Sequence, residues 1–363
     1  MPSSSSSVAN KPKRIVWLDY ARALAILTVI ICHSTEALYS FTLEGVARTS
    51  TVSQICEFTL FTIGRLGVPL FLFMTGYLML DRQYDKNACI RFWKTKWCGL
   101  LLATEIWIVI YDLFLSIVNH TPLDPLMLLR NMLFLEKVAM GHMWYMPIII
   151  GLYLFLPFIA NGLKQLDDAR LLKFPLGIMC LIVFLVPVIS ILFQCFGNNG
   201  FVSLIADGFS GGAYGCYLLI GYCVKKKLFE KSTTKALVVF GATSFVVTVA
   251  LQMLAYEKMV LAPVWYNNGL LMVAGLCLFV LLSRLTVAKE PRAIWALSYY
   301  SFALYLVHFP VKMILSPLVA IWGLPNHLIA VLALSSIVLV VSLAICYLIG
   351  KIPVIGKRML YLK

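Results

Sequence analysis

Apolar runs of about twenty residues, separated by short polar stretches, follow one another along almost the whole chain. They predict ten helices, near 15–33, 55–80, 97–118, 143–161, 174–196, 209–224, 236–254, 260–282, 293–316 and 327–350. Twenty apolar residues rising 1.5 Å each are what it takes to cross the hydrocarbon core of a bilayer. The runs fill the chain and leave no space for a linker, an internal repeat or an extramembrane domain. The expected architecture is an all-α membrane protein, a bundle of about ten transmembrane helices. Residues 1–14 form a disordered tail, 15–350 the membrane domain and 351–363 a basic tail. The head "MPSSSSSVANKPKR" is short and polar, and no small-residue cleavage site follows it, so it does not read as a secretory signal.

Composition strengthens this picture. Of 363 residues, 61% are hydrophobic and 13% charged, a balance that would leave a soluble domain with an apolar surface. The ten cysteines are scattered, with no CxxC pair, which points away from a disulfide framework or a zinc site and toward apolar filling.

The net charge of +14 is a topology signal. With the N-terminus inside, 23 of the 30 lysines and arginines fall on cytoplasmic segments, and only Arg48, Arg130, Lys137 and Lys258 fall on outer loops. That distribution follows the positive-inside rule, puts both termini in the cytoplasm and makes a nucleic-acid partner unnecessary. Arg22, Arg65 and Lys312 remain within spans.

Those intramembrane charges are the candidate chemistry. Arg22 and His33 lie eleven residues apart, three helical turns plus about 20°, so they project from one face about 16 Å apart. A charge at a helix centre costs about 2.5 to 3.5 kcal/mol and usually faces a bundle interior or a watery cavity. The plainer reading is a snorkelling Arg22 and a His33 that caps the outer end. Arg65, about ten residues into the second span and flanked by Gly64, Gly67 and Gly76, is too deep to snorkel and reads as cavity-lining or as a structural partner. His308 reads either as a site residue or as a satisfied core histidine. Lys312, one turn further on, reads as snorkelling outward.

Taken in order, the Arg22 to His33 spacing, "GRLGVPLFLFMTGYL", "GHMWYMPIIIGLYLFLP", "GAYGCYLLIGYCV" and "YSFALYLVHFP" resemble the acyltransferase 3 family of integral membrane O-acyltransferases. The likeness covers nearly the whole chain, with 15–350 as its transmembrane acyltransferase domain. It implies transfer of an acyl group, most often acetyl, from cytoplasmic acyl-CoA to a hydroxyl of a glycan or cell-envelope acceptor on the far side. Acyl-CoA is then a co-substrate, with no permanently bound cofactor and no metal. The partners are membrane lipids, acyl-CoA and a glycan or cell-wall acceptor, in a bacterial inner membrane.

By the same likeness Arg22 and His33 match the family's catalytic arginine and histidine, and Arg65, His142, Trp144 and His308 match its polar positions. The family commonly has paired arginines and a proline entering the third span. Here that stretch is "CIRFWKTKWCGLLLATEIW", so contacts to CoA phosphates would rest on Arg91, Lys94 and Lys96 together with Arg65. His33 would deprotonate the acceptor alcohol, or carry the acyl group itself. Arg65 is also a candidate oxyanion partner by depth. Glu36, His142, Trp144, Asp207 and His308 would face the acceptor, with Trp144 able to stack on a sugar or simply belonging to the interfacial aromatic belt. Glu105 would pair with a neighbouring cation.

Other patterns carry less. "GFSGG" at 208–212 has the GxSxG spacing but lacks the α/β sheet that a nucleophile elbow needs. "NHT" at Asn119 is a glycosylation sequon that matters only in a secretory-pathway host, and no histidine begins an HxxxxD motif. Intramembrane charges also suit a secondary transporter, although no repeat relates the two halves. A catalytically silent sensing module of the same fold is a third reading.

Overall fold

The computed structural model describes residues 14–136, 140–166, 168–198, 212–321 and 327–362. Helix accounts for 79% of it, with no strand among the described residues, so the chain is all-α. Among the described residues eight helices are long and apolar enough to cross a membrane. In chain order, leaving aside the short helices Leu43–Ala47 and Pro125–Met132, the elements are α1 (Val16–Leu38), α2 (Thr51–Arg65) continued after a bend by α3 (Gly67–Met79), α4 (Lys86–Asn119), α5 (Gly141–Lys164), α6 (Ala169–Cys195), α7 (Gly212–Lys225), α8 (Thr234–Glu257), α9 (Gly269–Ser283), α10 (Arg292–Tyr299), α11 (Ser301–Ile321), α12 (His327–Gly350) and α13 (Ile355–Met359).

Two of the ten expected spans fall short. The run at 209–224 becomes α7, of 14 residues, and its first three positions lie outside the described residues. The run at 260–282 splits: α9 has 15 residues, and 260–268 is non-helical. At 1.5 Å per residue each helix covers only about 22 Å. Hydropathy could not separate the irregular stretch from its helix, because "VLAPVWY" is as apolar as a span. The breakers were nevertheless in the sequence, Pro263 inside it and Asn267–Asn268–Gly269 closing it. Non-helical backbone among membrane spans is tolerated where protein groups satisfy it. Here the Val264 amide donates to Gln252 Oε1 at 3.0 Å, the Tyr217 hydroxyl donates to the Tyr266 carbonyl at 2.8 Å, and Asn268 caps α9 through the amides of Leu270 and Leu271.

α1 is the central element, packed against α2, α3, α11 and α12. Its closest approach to α2 is at Gly64, where an added Cβ would lie 2.5 Å from the backbone of Cys32. α3 and α7 approach as closely through a reciprocal pair: a Cβ at Gly76 would lie 1.8 Å from the Leu218 carbonyl, and one at Gly221 would lie 2.1 Å from the Phe73 carbonyl. Only glycine fits at such crossings, where backbone packing replaces the hydrophobic drive that lipid cannot supply.

α4 carries a π-helical turn at Trp93–Trp97. The indoles of Trp93 and Trp97 donate to the carbonyls of Leu154 and Ile150 on α5, both at 3.0 Å. The segment after α12 is folded back on this region. Leu360 is fully buried, the Trp107 indole donates to the Met359 carbonyl at 2.9 Å, and the Tyr361 hydroxyl donates to the Lys96 carbonyl at 3.1 Å.

Candidate functional site

The site grows from the last turns of α1. His33 and Glu36 are three residues apart, which puts them on one helix face, and His33 Nδ1 lies 2.6 Å from Glu36 Oε2. A carboxylate only accepts, so this contact puts the ring proton on Nδ1 and leaves Nε2 as a free lone pair. The second oxygen, Oε1, accepts from the Arg65 guanidinium at 2.9 Å. Arg65 is the last residue of α2 and is buried, its side chain 6% exposed against 31% for Glu36. It donates to the Tyr266 hydroxyl at 3.2 Å and lies over the rings of Phe61, Trp265 and Tyr266 at 4.4, 4.4 and 5.3 Å. The aromatic faces replace part of the solvation that a buried cation loses, and the Glu36 carboxylate balances its charge.

Two more histidines close on His33. The ring centroids are 5.4 Å apart for His33 and His308, 6.2 Å for His33 and His142, and 5.3 Å for His142 and His308. His308 is fully buried, and its Nδ1 lies 2.9 Å from the Leu304 carbonyl one turn back. A carbonyl accepts, so Nδ1 carries the proton and Nε2 keeps a lone pair with no partner.

His142 sits in the single turn that opens α5. Its Nε2 lies 3.4 Å from the Tyr111 hydroxyl, which itself donates to the Leu306 carbonyl at 2.6 Å, and its Nδ1 has no partner. Tyr111 has spent its proton on Leu306, so Nε2 of His142 is the donor and Nδ1 the lone pair. Tyr305 donates to the His142 carbonyl at 2.7 Å and fixes the turn. In the neutral ring form each imidazole is thus held through one nitrogen, with the other left as an acceptor. Phe309 stacks on His142 at 4.4 Å.

A small cavity lies among these groups, lined in part by Cys32, His33, His142, Trp144, Tyr266 and Tyr305. Its volume of about 10 Å³ is enough for roughly one water molecule. Trp144 packs within 5.2 to 6.0 Å of Tyr145, Tyr214, Trp265 and Tyr266, so an aromatic wall bounds the site. Cys32, His33 and Glu36 offer a sulfur, a nitrogen and an oxygen within 4.8 Å of one another, a set able to hold a cation. Its carboxylate is already shared between His33 and Arg65.

Of the residues singled out in the sequence, the structure therefore gathers His33, Glu36, Arg65, His142, Trp144 and His308. Arg65, expected toward the donor side, lies in the same cluster as Glu36. Arg22 is not in it. It faces Asp19 at 3.5 Å, and Asp19 also receives Arg14 at 2.8 Å and the Ser298 hydroxyl. Eleven residues of helix, about 16 Å, separate Arg22 from His33. Arg91, Lys94 and Lys96 stand on α4 at and just before the π-helical turn, apart from the cluster, with Arg91 and Lys94 exposed. Glu105 Oε2 is buried with no hydrogen-bond partner among the described residues. Asp207 and most of "GFSGG" lie outside the described residues. The sequence reading missed Trp265 and Tyr266, hidden in an apparent span, and Tyr111, Tyr305 and Phe309, which look like ordinary apolar filling.

A family model described as an acyltransferase domain matches residues 15–351. No curated protein and no solved structure matches the chain.

Proposed function

We propose, from the premise that the chain belongs to the acyltransferase 3 family, that it moves an acyl group, acetyl first, from cytoplasmic acyl-CoA to a hydroxyl of a glycan or cell-envelope acceptor across the membrane. The observation that carries this reading is the 2.6 Å contact of His33 Nδ1 with Glu36. It leaves Nε2 free to take a proton and gives the resulting imidazolium a carboxylate partner. In the reaction the acceptor hydroxyl gives its proton to Nε2 as its oxygen attacks the thioester carbonyl. The tetrahedral intermediate then collapses with cleavage of the C–S bond, and the leaving thiolate takes the proton back from His33. Transfer through an acyl-His33 intermediate uses the same groups, with imidazole as the nucleophile.

Arg65 holds Glu36 against His33, and its charge is available to a developing oxyanion nearby. The lone pairs of His142 and His308 call for a hydrogen-bond donor, which an acceptor hydroxyl supplies. Trp144 offers a face for a sugar ring. Arg22, Arg91, Lys94 and Lys96 stand on the cytoplasmic side, where CoA phosphates attract cations. This assignment puts both termini inside, with 1–14 and 351–363 flanking the membrane domain of 15–350, in a bacterial inner membrane. The donor is a co-substrate, so no resident cofactor is required. A cavity the size of one water does not hold a thioester, so substrate binding must part the aromatic wall.

The test is purified full-length protein in lipid with labelled acetyl-CoA and a panel of glycan acceptors. Acceptor-dependent thiol release that vanishes in His33→Ala supports the assignment. Undiminished release in that variant removes His33 from the mechanism, and solute flux without thiol release favours a transporter.

A further inference from the structure

Lys312 is a half-buried lysine within a membrane-spanning helix, and the mechanism above leaves it unused. It lies on α11 one turn beyond His308, with its Nζ 3.9 Å above the ring of Phe309. That same ring packs on His142 at 4.4 Å and on His33 at 5.2 Å. With His308 at 6.1 Å as well, a single phenylalanine is shared by the ammonium and all three imidazoles. Among the described residues no carboxylate lies within ion-pair distance of Lys312. The nearby carboxylate of Glu36 is shared between Arg65 at 2.9 Å and His33 at 2.6 Å. Around the imidazoles one carboxylate, Glu36, stands against two basic side chains, Arg65 and Lys312, so the basic groups outnumber the acidic ones by one. Intramembrane charges are costly and normally come with a partner, and an aromatic face offsets only part of that cost.

We propose that Lys312 binds an anionic group on the acceptor, a carboxylate or phosphate borne on the same glycan as the reacting hydroxyl. This rests on the acyl-transfer reading and narrows its acceptor to acidic sugars or sugar phosphates. The ammonium is a flexible point charge on a long stem, suited to meeting an anion without fixed geometry. Its place on Phe309 puts that anion next to, and not upon, the base at His33. Neutral sugars would still reach His33, without the counter-charge.

The experiment compares methyl glucoside with methyl glucuronide, and with glucose 6-phosphate, as acceptors for full-length protein in phosphatidylcholine nanodiscs supplied with acetyl-CoA. The expected result is a KM at least about tenfold lower for the anionic sugars, a preference that collapses in Lys312→Gln and survives in Lys312→Arg. Equal KM values across the set, or a preference that persists in Lys312→Gln, overturn the proposal while leaving acyl transfer standing. A Lys312 effect that appears only when phosphatidylglycerol is added to the discs assigns the anion to a lipid headgroup and also overturns it. If wild-type protein releases no thiol with any acceptor, the transfer reading is what fails. Calorimetric binding of glucuronide against glucoside, in wild type and Lys312→Gln, then decides the role of Lys312 alone.

Discussion

The imidazole of His33 and the carboxylate of Glu36 meet at 2.6 Å across one turn of α1, and Arg65 holds the far oxygen of that carboxylate at 2.9 Å. The pairing fixes the tautomer of His33 and so decides which nitrogen is free. The order, from imidazole to carboxylate to buried guanidinium, links the three residues in one hydrogen-bonded chain.

A double-mutant cycle on His33 and Glu36 tests this coupling. His33→Ala should lower the rate of acceptor-dependent thiol release by about 10² to 10⁴, the usual worth of a positioned general base. Glu36→Gln should lower it by at least about tenfold, because an amide can hold the other tautomer of the ring. Together the two should cost little more than His33→Ala alone, since groups acting as a unit are not additive. Additive losses would show that Glu36 works independently of His33.

Arg65→Met should be a stability variant as much as an activity variant. Removing one member of a buried pair costs about 3 to 5 kcal/mol, and the lower end is expected here because the Glu36 side chain keeps 31% exposure. The measurement is the midpoint of thermal unfolding in lipid. Arg65→Lys should recover the charge but not the planar contacts with Phe61, Trp265 and Tyr266, and so fall between wild type and Arg65→Met. A midpoint unchanged in Arg65→Met would mean that the pair adds nothing to the fold.

The α3 and α7 crossing gives a steric prediction. Gly76→Ala and Gly221→Ala each place a methyl about 2 Å from a carbonyl oxygen of the facing helix, which only separation of the helices can relieve. Both should sharply reduce the yield of folded protein, read by size-exclusion profile and thermal midpoint. Gly151→Ala, where an added Cβ meets nothing within 4 Å, should match wild type or exceed it slightly.

Acid should loosen the end of the bundle that carries Asp81. Asp81 accepts from Lys164 at 2.9 Å and from Lys226 at 2.6 Å. Partial burial raises its carboxyl, but the hydrogen bonds and charges of the two lysines outweigh that and leave it below the usual carboxylate range. A depressed acid stabilises the folded state at pH above the ordinary carboxylate value, and that contribution is lost as pH falls through the lowered one. The thermal midpoint should therefore start to drop as pH falls past the ordinary carboxylate value of about 4, and Asp81→Asn should flatten part of the drop. An identical acid profile in that variant would place the sensitive group elsewhere.

The one-dimensional pattern of this chain determined its class. Runs of apolar residues leave helices as the only way to satisfy the backbone in lipid, so the all-α bundle and its long spans are legible in the residue order itself. The polar residues stranded inside those runs are also legible, because each one is expensive there. Their company is not. Arg65 and Tyr266 are 201 residues apart in sequence, and nothing in local spacing brings them together. Tyr266 lies in a stretch whose hydropathy reads as helix although its backbone is irregular. Helical periodicity puts Arg22 and His33 on one face of α1, yet a shared face about 16 Å long is not a shared site, and Arg22 pairs instead with Asp19, one turn back on the same helix. Transfer cost belongs to each residue alone and can be read from its type. Contact belongs to the packing of distant helices, which glycines such as Gly64 permit by letting backbones close to within a few ångströms, and only the folded chain could show which costly residues that packing brings together.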